Sequence, residues 1–396
     1  MKKVLFFTMA LVAGFALTSC DRDSLTPEGD TTKLWVAGED DSDLMGYIDA
    51  NGKMVIKAEY TTAYTFCCGW AFVIDESGEK MYIDKNGKAA TKVPDTDTYY
   101  TSFYYNLITF KEGGLLGKWD NNFKQVIPAD YKALGMNSDA GLMWYSEDGN
   151  AYGFLAENGT IAINADDAEF AYCSTFSDGL CVVGETKTTD SGTERRYGII
   201  DEKGNYMLDP QKKQLFNMNE GRVAFYNDTK KKYGIWDKKG EEIMAATYDD
   251  MSALSCGLAL VEKDNKYGFV DKNGNEVIAP KYYSAADFTD NVAWVLKSSE
   301  ARWELIDKSG EQVIKLKDVE SPQGLFHNGL ALIYNSDANE YRYINKKGEV
   351  IYKWEPKSSS SVPAKTMREI SLETIKASEN GAIFIDMDNM KKQIAR

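Results

Sequence analysis

Two adjacent cysteines, Cys67 and Cys68, are the residues whose types and spacing first suggest chemistry in this sequence. They stand just before Trp70 in the stretch Thr-Phe-Cys-Cys-Gly-Trp. Neighbouring thiols can bind a metal ion, form a redox pair or close a disulfide, and a metal site needs further ligands that converge on the same ion. Their role therefore depends on what the same position holds elsewhere in the chain.

A unit of about 36 residues recurs along the chain, which is the sequence pattern of a repeat protein. The best copies cover residues 46–73, 197–226, 233–261 and 267–295. One turn residue marks each unit, at Asp49, Asp84, Asp120, Ala156, Asp201, Asp237, Asp271, Asp307 and Asn345. The longest step contains a polar insert, residues 185–196, which we predict to be an extended loop.

The local pattern of each unit predicts β-structure. Asp271–Gly274 has the Asp-x-x-Gly form that is typical of a type I turn with a left-handed glycine at the end of a hairpin. Strand-like residues flank this turn, and in Leu258–Val261 both faces are apolar, so neighbouring sheets must stack on each other. We predict an all-β tandem repeat of about nine antiparallel β-meander units that is propeller-like, with an open curved array as the alternative.

These units resemble the WG-repeat (KWG-repeat) family over residues 46–354. The resemblance lies in an aromatic–glycine pair, the Asp-x-x-Gly turn and a later Phe-x-Asp-Gly-x-Ala pattern. The family is named for Trp-Gly, whereas this chain has Tyr-Gly beginning at Tyr152, Tyr197, Tyr233 and Tyr267. The resemblance implies an all-β array used for interaction, and it supplies no catalytic residues.

The repeat places the adjacent cysteines at turn positions. Cys68 and Cys256 stand where other units have Asp178, Glu220, Asp290 and Asn328. Cys67 and His327, the sole histidine, stand where other units have Ser177, Ser255 and Thr289. We therefore interpret all four as turn residues, with a redox role left open, and we expect neither a metal site nor a catalytic triad built on His327.

Two further cysteines have other surroundings. Cys181 matches the alanines of other units and is predicted to be a buried small side chain, while Cys173 has no such counterpart. The spacing of the cysteines that follow Cys20 does not determine any disulfide pairing.

The N-terminus has the features of an export signal. Lys2 and Lys3 precede an apolar run, and Leu-Thr-Ser-Cys at residues 17–20 resembles a bacterial lipobox. The resemblance implies a lipoprotein signal peptide at 1–19 and lipid attachment at Cys20; the alternative is an ordinary secretory signal with an incidental cysteine. We predict a flexible tether over residues 20–32 and a lipid-anchored location in the envelope of a Gram-negative bacterium, with surface exposure on the outer membrane suggested by the Ser/Asp-rich start.

The remaining sequence limits the function classes. A net charge of −15 provides no electrostatic footprint for nucleic acid. We find no catalytic, cofactor-binding or metal-binding motif, so we predict a non-catalytic binding module for a protein or glycan ligand; an envelope glycoside hydrolase and a passive structural protein are the alternatives. The repeat domain is predicted at 33–356 and a linker with a capping or closing segment at 357–396, in which residues 381–387 are a predicted strand.

Overall fold

The computed structural model describes residues 33–66, 69–90, 103–104, 107–190 and 192–357. Eight antiparallel sheets are arranged as a β-propeller, which confirms the predicted all-β, propeller-like fold. Within the described part of the chain, no helix is long and apolar enough to cross a membrane. The predicted signal peptide, tether and C-terminal segment lie outside the described residues.

Seven of the sheets have four strands each, in the order inner, second, third and outer. The inner strands are β6 (Phe103–Tyr104), β10 (Ala133–Leu134), β14 (Tyr172–Cys173), β18 (Gln214–Asn219), β22 (Asp250–Met251), β26 (Ser284–Ala285) and β30 (Glu320–Pro322). The second strands are β7 (Leu107–Glu112), β11 (Leu142–Ser146), β15 (Leu180–Thr189), β19 (Arg222–Asn227), β23 (Leu258–Lys263), β27 (Val292–Leu296) and β31 (Leu330–Asn335).

The third strands lead through the repeated turns into the outer strands. The third strands are β8 (Leu115–Asp120), β12 (Gly153–Ala156), β16 (Gly192–Asp201), β20 (Lys232–Asp237), β24 (Lys266–Asp271), β28 (Glu304–Asp307) and β32 (Glu340–Asn345). The outer strands are β9 (Gln125–Tyr131), β13 (Ile161–Ile163), β17 (Tyr206–Gln211), β21 (Glu242–Tyr248), β25 (Glu276–Tyr282), β29 (Gln312–Lys315) and β33 (Val350–Trp354). One short helix, α1 (Ala165–Ala168), follows β13.

The first sheet has five strands and contains two repeat units. Its strands are β1 (Trp35–Gly38), β2 (Met45–Ile48), β3 (Met54–Ala63), β4 (Trp70–Asp75) and β5 (Lys80–Asp84). The start of β3 pairs with β2 and its end pairs with β4, with a register shift between Tyr60 and Thr62. Counted as hydrogen-bonded sheets, the propeller therefore has eight blades, fewer than the nine units marked by turns, because β3 continues from one unit into the next.

The core lies between consecutive repeat units. Phe269, Ile278 and Tyr282 of one unit pack against Ala293 and Val295 of the next, and all five are at most 3% exposed. Nine such clusters occur among the described residues. This arrangement confirms that apolar residues on both faces of a strand indicate stacked sheets.

The ring is closed by contacts between its first and last sheets. Trp35 and Ile48 share one buried cluster with Tyr341 and Trp354. The first repeated turn also packs on the last sheet, where a Cβ added at Gly52 would lie 2.2 Å from a carbonyl oxygen of the outer strand. The alternative of an open array is therefore wrong.

The polar insert is a hairpin rather than a loop. Strands β15 and β16 continue through the insert, with Glu185 opposite Arg196 and Thr189 opposite Gly192. The prediction of an extended loop over residues 185–196 is wrong because the polar residues there still complete a regular antiparallel ladder.

Candidate functional site

The repeated aspartates serve their own turns. The amide of Gly274 donates to the carbonyl oxygen of Asp271 at 2.9 Å, and Gly274 has a φ of 76°. The Asp271 carboxylate accepts from the amides of Asn273 and Asn275 at 2.8 and 2.9 Å. Burial acts to raise the pKa of Asp271, but a hydrogen bond from the Asn275 side chain and the bonds from these amides outweigh it and lower the pKa. This geometry confirms the predicted turn and assigns the aspartates to structure.

The corners before the second strands are left-handed turns. Ser255 and Leu258 exchange two backbone hydrogen bonds, and the intervening Cys256 and Gly257 have φ values of 56° and 78°. Positive φ at both central residues is the type I′ geometry that favours Asn or Asp followed by Gly. These positions are turn positions, as the repeat predicted.

Acidic residues at these corners also link consecutive units. The Asp178 carboxylate accepts from the amide of Gly221 at 2.8 Å, and the Glu220 carboxylate accepts from the amide of Gly257 at 2.9 Å. Since each carboxylate binds a backbone donor of the next unit, the acidic corners help to hold consecutive units of the ring together. In the described ranges, no group of three or more His, Cys, Asp or Glu residues could hold a metal ion.

The cysteines divide into two kinds. Cys173 and Cys181 are free and buried, and the prediction of a buried Cys181 is confirmed. Cys256 is disulfide-bonded, with a partner outside the described residues. The interpretation of Cys256 as a turn residue alone is therefore incomplete. Cys67 and Cys68, like Cys20, the predicted site of lipid attachment, lie outside the described residues.

His327 lies at the junction between the last and first sheets. Its backbone carbonyl accepts a hydrogen bond from the Trp35 indole at 3.2 Å. Its ring nitrogen Nε2 lies 3.0 Å from the side-chain amide of Asn328. These contacts give His327 a part in ring closure.

The last two sheets break the repeat symmetry. In six of the nine units a glycine such as Gly268 stands three residues before the turn residue; Met81 takes that place in the second unit, and Glu304 and Arg342 take it in the last two. A Cβ added at Gly268 would lie 2.5 Å from the carbonyl oxygen of Ile278 in the outer strand. The outer strand shifts register beside Gly268, whereas β33 pairs regularly beside Arg342. The regular pairing leaves room for a side chain.

A charge cluster surrounds a buried glutamate on the last sheet. The guanidinium of Arg342 binds Glu320 at 2.8 Å and also contacts Glu340, whose second carboxylate oxygen binds Lys353 at 2.6 Å. The Glu340 side chain is only 3% exposed. Burial acts to raise the pKa of Glu340, but the hydrogen bonds from Lys353 and Arg342 outweigh it and lower the pKa.

A second cluster on the neighbouring sheet follows the same design. The Glu304 side chain is 2% exposed and binds Lys297 at 2.7 Å and Lys315 at 3.0 Å. Burial opposes ionisation of Glu304, but the two lysines hold its pKa below the ordinary value. Both buried carboxylates are thus ionised, and each is paired with two cationic side chains. Such pairing offsets the free energy that is lost when a charge is removed from water.

An open groove borders the first of these clusters. Its volume is about 620 Å³, and its walls are formed by Glu340, Arg342, Val350, Ile351, Tyr352 and Lys353. A fixed guanidinium, an ammonium group and an aromatic ring together suit recognition of a polar ligand. Sequence reasoning missed this groove, although the loss of glycine after Trp303 and Tyr341 was a usable signal.

Two aspartates elsewhere have a raised pKa, in contrast to the lowered pKa of Glu304 and Glu340. Burial raises the pKa of Asp250 and of Asp287. The Oδ1 atom of Asp287 is buried and has no hydrogen-bond partner within the described part of the chain. A raised carboxyl pKa is one of the features of a general acid, so Asp287 is the residue that would bear on a hydrolase.

Comparisons with solved structures give distant likenesses. Apo AztD from Citrobacter koseri is 12% identical over 73% of this chain and 92% of that chain, with a TM-score of 0.41. BamB from Moraxella catarrhalis is 9% identical over 63% and 85%, with a TM-score of 0.33. Hsv2 from Kluyveromyces lactis is 13% identical over 72% and 95%, with a TM-score of 0.32. Likenesses this weak do not indicate what the chain binds.

Sequence comparison is more specific for the repeat itself. No curated protein matches the chain. A family model described as the WG containing repeat matches residues 45–76, 233–267 and 267–299. Over these three stretches the chain is therefore similar to WG containing repeats, which confirms the resemblance there.

Proposed function

We propose that this protein is a non-catalytic interaction module, lipid-anchored in a Gram-negative cell envelope, that binds a protein or glycan ligand in the groove on its last sheet. The observation that carries the proposal is the replacement of the repeated glycine by Arg342. That replacement places a charged side chain in the wall of a groove, where the units that keep the glycine have close backbone packing. A concave site with a few convergent polar groups is the usual setting for ligand recognition.

The chemistry of the groove supports binding rather than turnover. The carboxylate of Glu340 is ionised and has both oxygens engaged by cations, so it is not available to deliver a proton. Lys353 is 62% exposed at the rim and retains donors for a ligand. Tyr352 supplies an aromatic wall, which suits both sugar rings and apolar side chains.

A binding assay on residues 21–396 tests the proposal. Labelled protein is screened against purified envelope polysaccharides and a panel of envelope proteins, in wild type and in Tyr352→Ala and Lys353→Ala variants. Lys297→Ala is the matched control, because Lys297 is also largely exposed and also binds a buried carboxylate, but it lies outside the groove. Binding lost in the two groove variants and kept in the control is expected. Binding that all variants retain would contradict the proposal that the ligand binds in the groove. No binding to any ligand would favour a passive structural protein.

The anchor is tested separately through Cys20. Cys20→Ser is expected to remove fatty-acid labelling and to release the protein from the membrane fraction, because several acyl chains on one residue give stable anchoring. A variant that still takes up labelled fatty acid and sediments with membranes would show that the lipobox interpretation is wrong.

The alternative of a glycoside hydrolase is favoured by one observation, the raised pKa of buried Asp287. The same polysaccharides are incubated with wild type and Asp287→Asn, and reducing ends are measured. We expect no release in either protein. Release by wild type that Asp287→Asn abolishes would replace the binding-module proposal with a hydrolase.

A further inference from the structure

Strand β1 has one open edge. Its hydrogen-bonded neighbour is β2, and no strand lies on its other side in the described part of the chain. The equivalent strand of each four-stranded sheet, such as β23, has an inner strand there. The first repeat unit is thus the one described unit without an inner strand.

Side chains of the last sheet reach this edge instead. In other units an amide of the inner segment donates to the second strand, as from Ser252 to the carbonyl of Leu260 at 2.9 Å. The equivalent carbonyl, that of Val36, accepts from the Tyr343 hydroxyl at 2.8 Å, and the carbonyl of Gly38 accepts from the Tyr352 hydroxyl at 2.9 Å. The amides on that edge have no strand beside them, although Val36 is only 5% exposed. Buried backbone donors are almost always paired.

The chain leaves the last sheet in the direction of this edge. Trp354 ends β33 at the register position that Tyr282 holds in β25, and Tyr282 leads directly into the inner strand of the next sheet. After Trp354, the carbonyl of Glu355 accepts from the amide of Asp41 at 3.1 Å, and Pro356 forms a parallel bridge with Ser42. The chain beyond residue 357 therefore starts beside the first sheet.

We propose that residues 381–387, Gly-Ala-Ile-Phe-Ile-Asp-Met, pair antiparallel with β1 as its missing inner strand. Several inner strands place an apolar residue in the core, as Leu134, Met251 and Ala285 do. The segment 381–387 carries alternating residues of high strand propensity that can do the same. The Ser-rich stretch after residue 357 and the polar residues 21–32 lack such a pattern. The 23 intervening residues, 358–380, are enough to span the return to this edge.

Hydrogen exchange in the full chain tests this pairing. The amides of residues 33–38 are followed in wild type and in Ile383→Pro/Ile385→Pro, in which the segment loses two ladder donors. We expect exchange at β1 to become at least about ten times faster, while amides of β24 keep their rate as an internal reference. Ser360→Pro is the control within the same C-terminal region and should leave β1 unchanged. If the proline variant loses the fold, as shown by faster exchange in β24, Ile383→Thr/Ile385→Thr replaces it in the experiment. The expected result is again faster exchange at β1 with an unchanged rate in β24.

Two results would overturn the proposal. Unchanged exchange at β1 in the C-terminal variants would show that residues 381–387 do not cover the edge. Faster exchange in Leu25→Pro would instead assign the inner strand to the segment that precedes β1.

Discussion

The hydroxyl of Tyr343 donates a hydrogen bond to the carbonyl oxygen of Val36, across the junction where the ring closes. The two residues are far apart in sequence, and Tyr343 occupies the same repeat position as Tyr47, whose hydroxyl donates to the carbonyl of Tyr64 at 2.7 Å. The closing junction and the internal interface therefore both use a tyrosine hydroxyl that donates to a backbone carbonyl. At the junction the acceptor lies in a second strand, whereas inside the chain it lies in an inner segment.

Tyr343→Phe is expected to weaken this junction. Removal of the hydroxyl leaves a buried carbonyl without its donor, which costs about 1–3 kcal/mol of the free energy of unfolding. Tyr47→Phe is the matched control, because it removes the same contact from an interface inside the chain. Both should melt at lower temperature, but only Tyr343→Phe should accelerate amide exchange at Trp35–Gly38. Equal exchange in the two variants would contradict a special role of Tyr343 in closure.

The repeated turn offers a second test at Gly274. It has a φ of 76°, and an added Cβ would lie 2.6 Å from the Cβ of Met244 in the preceding unit. Gly78 closes a turn of the same Asp-x-x-Gly form with a φ of 85°, but an added Cβ there meets nothing within 4 Å. Gly78→Ala should cost about 1–2 kcal/mol from backbone strain alone, and Gly274→Ala should cost more because the neighbouring unit must also move.

Urea unfolding of the two glycine variants measures the difference. Gly274→Val should be worse still, because a β-branched residue is the least tolerated at positive φ. Equal losses at the two positions would show that the turns do not lock consecutive units together.

The predictable part of this fold is the part that repeats. Gly274 could be assigned to a left-handed turn because its backbone requirement is local. The closure through Trp35 and Trp354 could not be predicted, because residues at opposite ends of the chain meet only once the ring curvature is fixed. The groove was missed for another reason. Glu304 and Arg342 made their units look like poor copies of the repeat, and only the regular pairing of the outer strands shows what the substitution accomplishes.

The buried side chain of Lys118 should make the stability of the protein depend on pH. It is 2% exposed, and its ammonium group donates a hydrogen bond to the Thr109 hydroxyl at 2.7 Å. Burial lowers the pKa of Lys118 from 10.5 to about 7. Between these values the unfolded chain binds more protons than the folded chain, so stability should rise with pH from about 7, and the destabilisation is fully present below pH 7.

Lys118→Ile tests this dependence, because Ile235 fills the same repeat position in another unit. The free energy of unfolding should rise in the variant by up to about 5 kcal/mol at pH 6, and its advantage over wild type should shrink by about 1.4 kcal/mol per pH unit above pH 7. Exposed Lys238 gives the control variant Lys238→Ile, which should follow the wild-type pH profile. A pH-independent difference between Lys118→Ile and wild type would mean that Lys118 stays charged in the fold.

The disulfide of Cys256 allows a test of whether this cysteine does more than form its turn. If Cys256 served the turn alone, Cys256→Asp would change the free energy of unfolding by no more than about 0.5 kcal/mol, because Asp178 and Asp290 hold the equivalent position with the same positive φ. Loss of a native disulfide should instead cost about 2–5 kcal/mol. We therefore expect a lower melting temperature for Cys256→Asp. We also expect reductant to lower the melting temperature of the wild type to the same value.

Cys181→Ala is the control for this experiment, because Cys181 is free and Ala259 fills its position in another unit. Its melting temperature should respond to reductant as wild type does, since the disulfide remains. Peptide mapping without reduction then identifies the partner of Cys256. Since Cys173 and Cys181 are free and lipidation would occupy the thiol of Cys20, we expect the partner to be Cys67 or Cys68. A wild type that melts at the same temperature as Cys256→Asp, with and without reductant, would contradict the disulfide and return Cys256 to a turn residue alone.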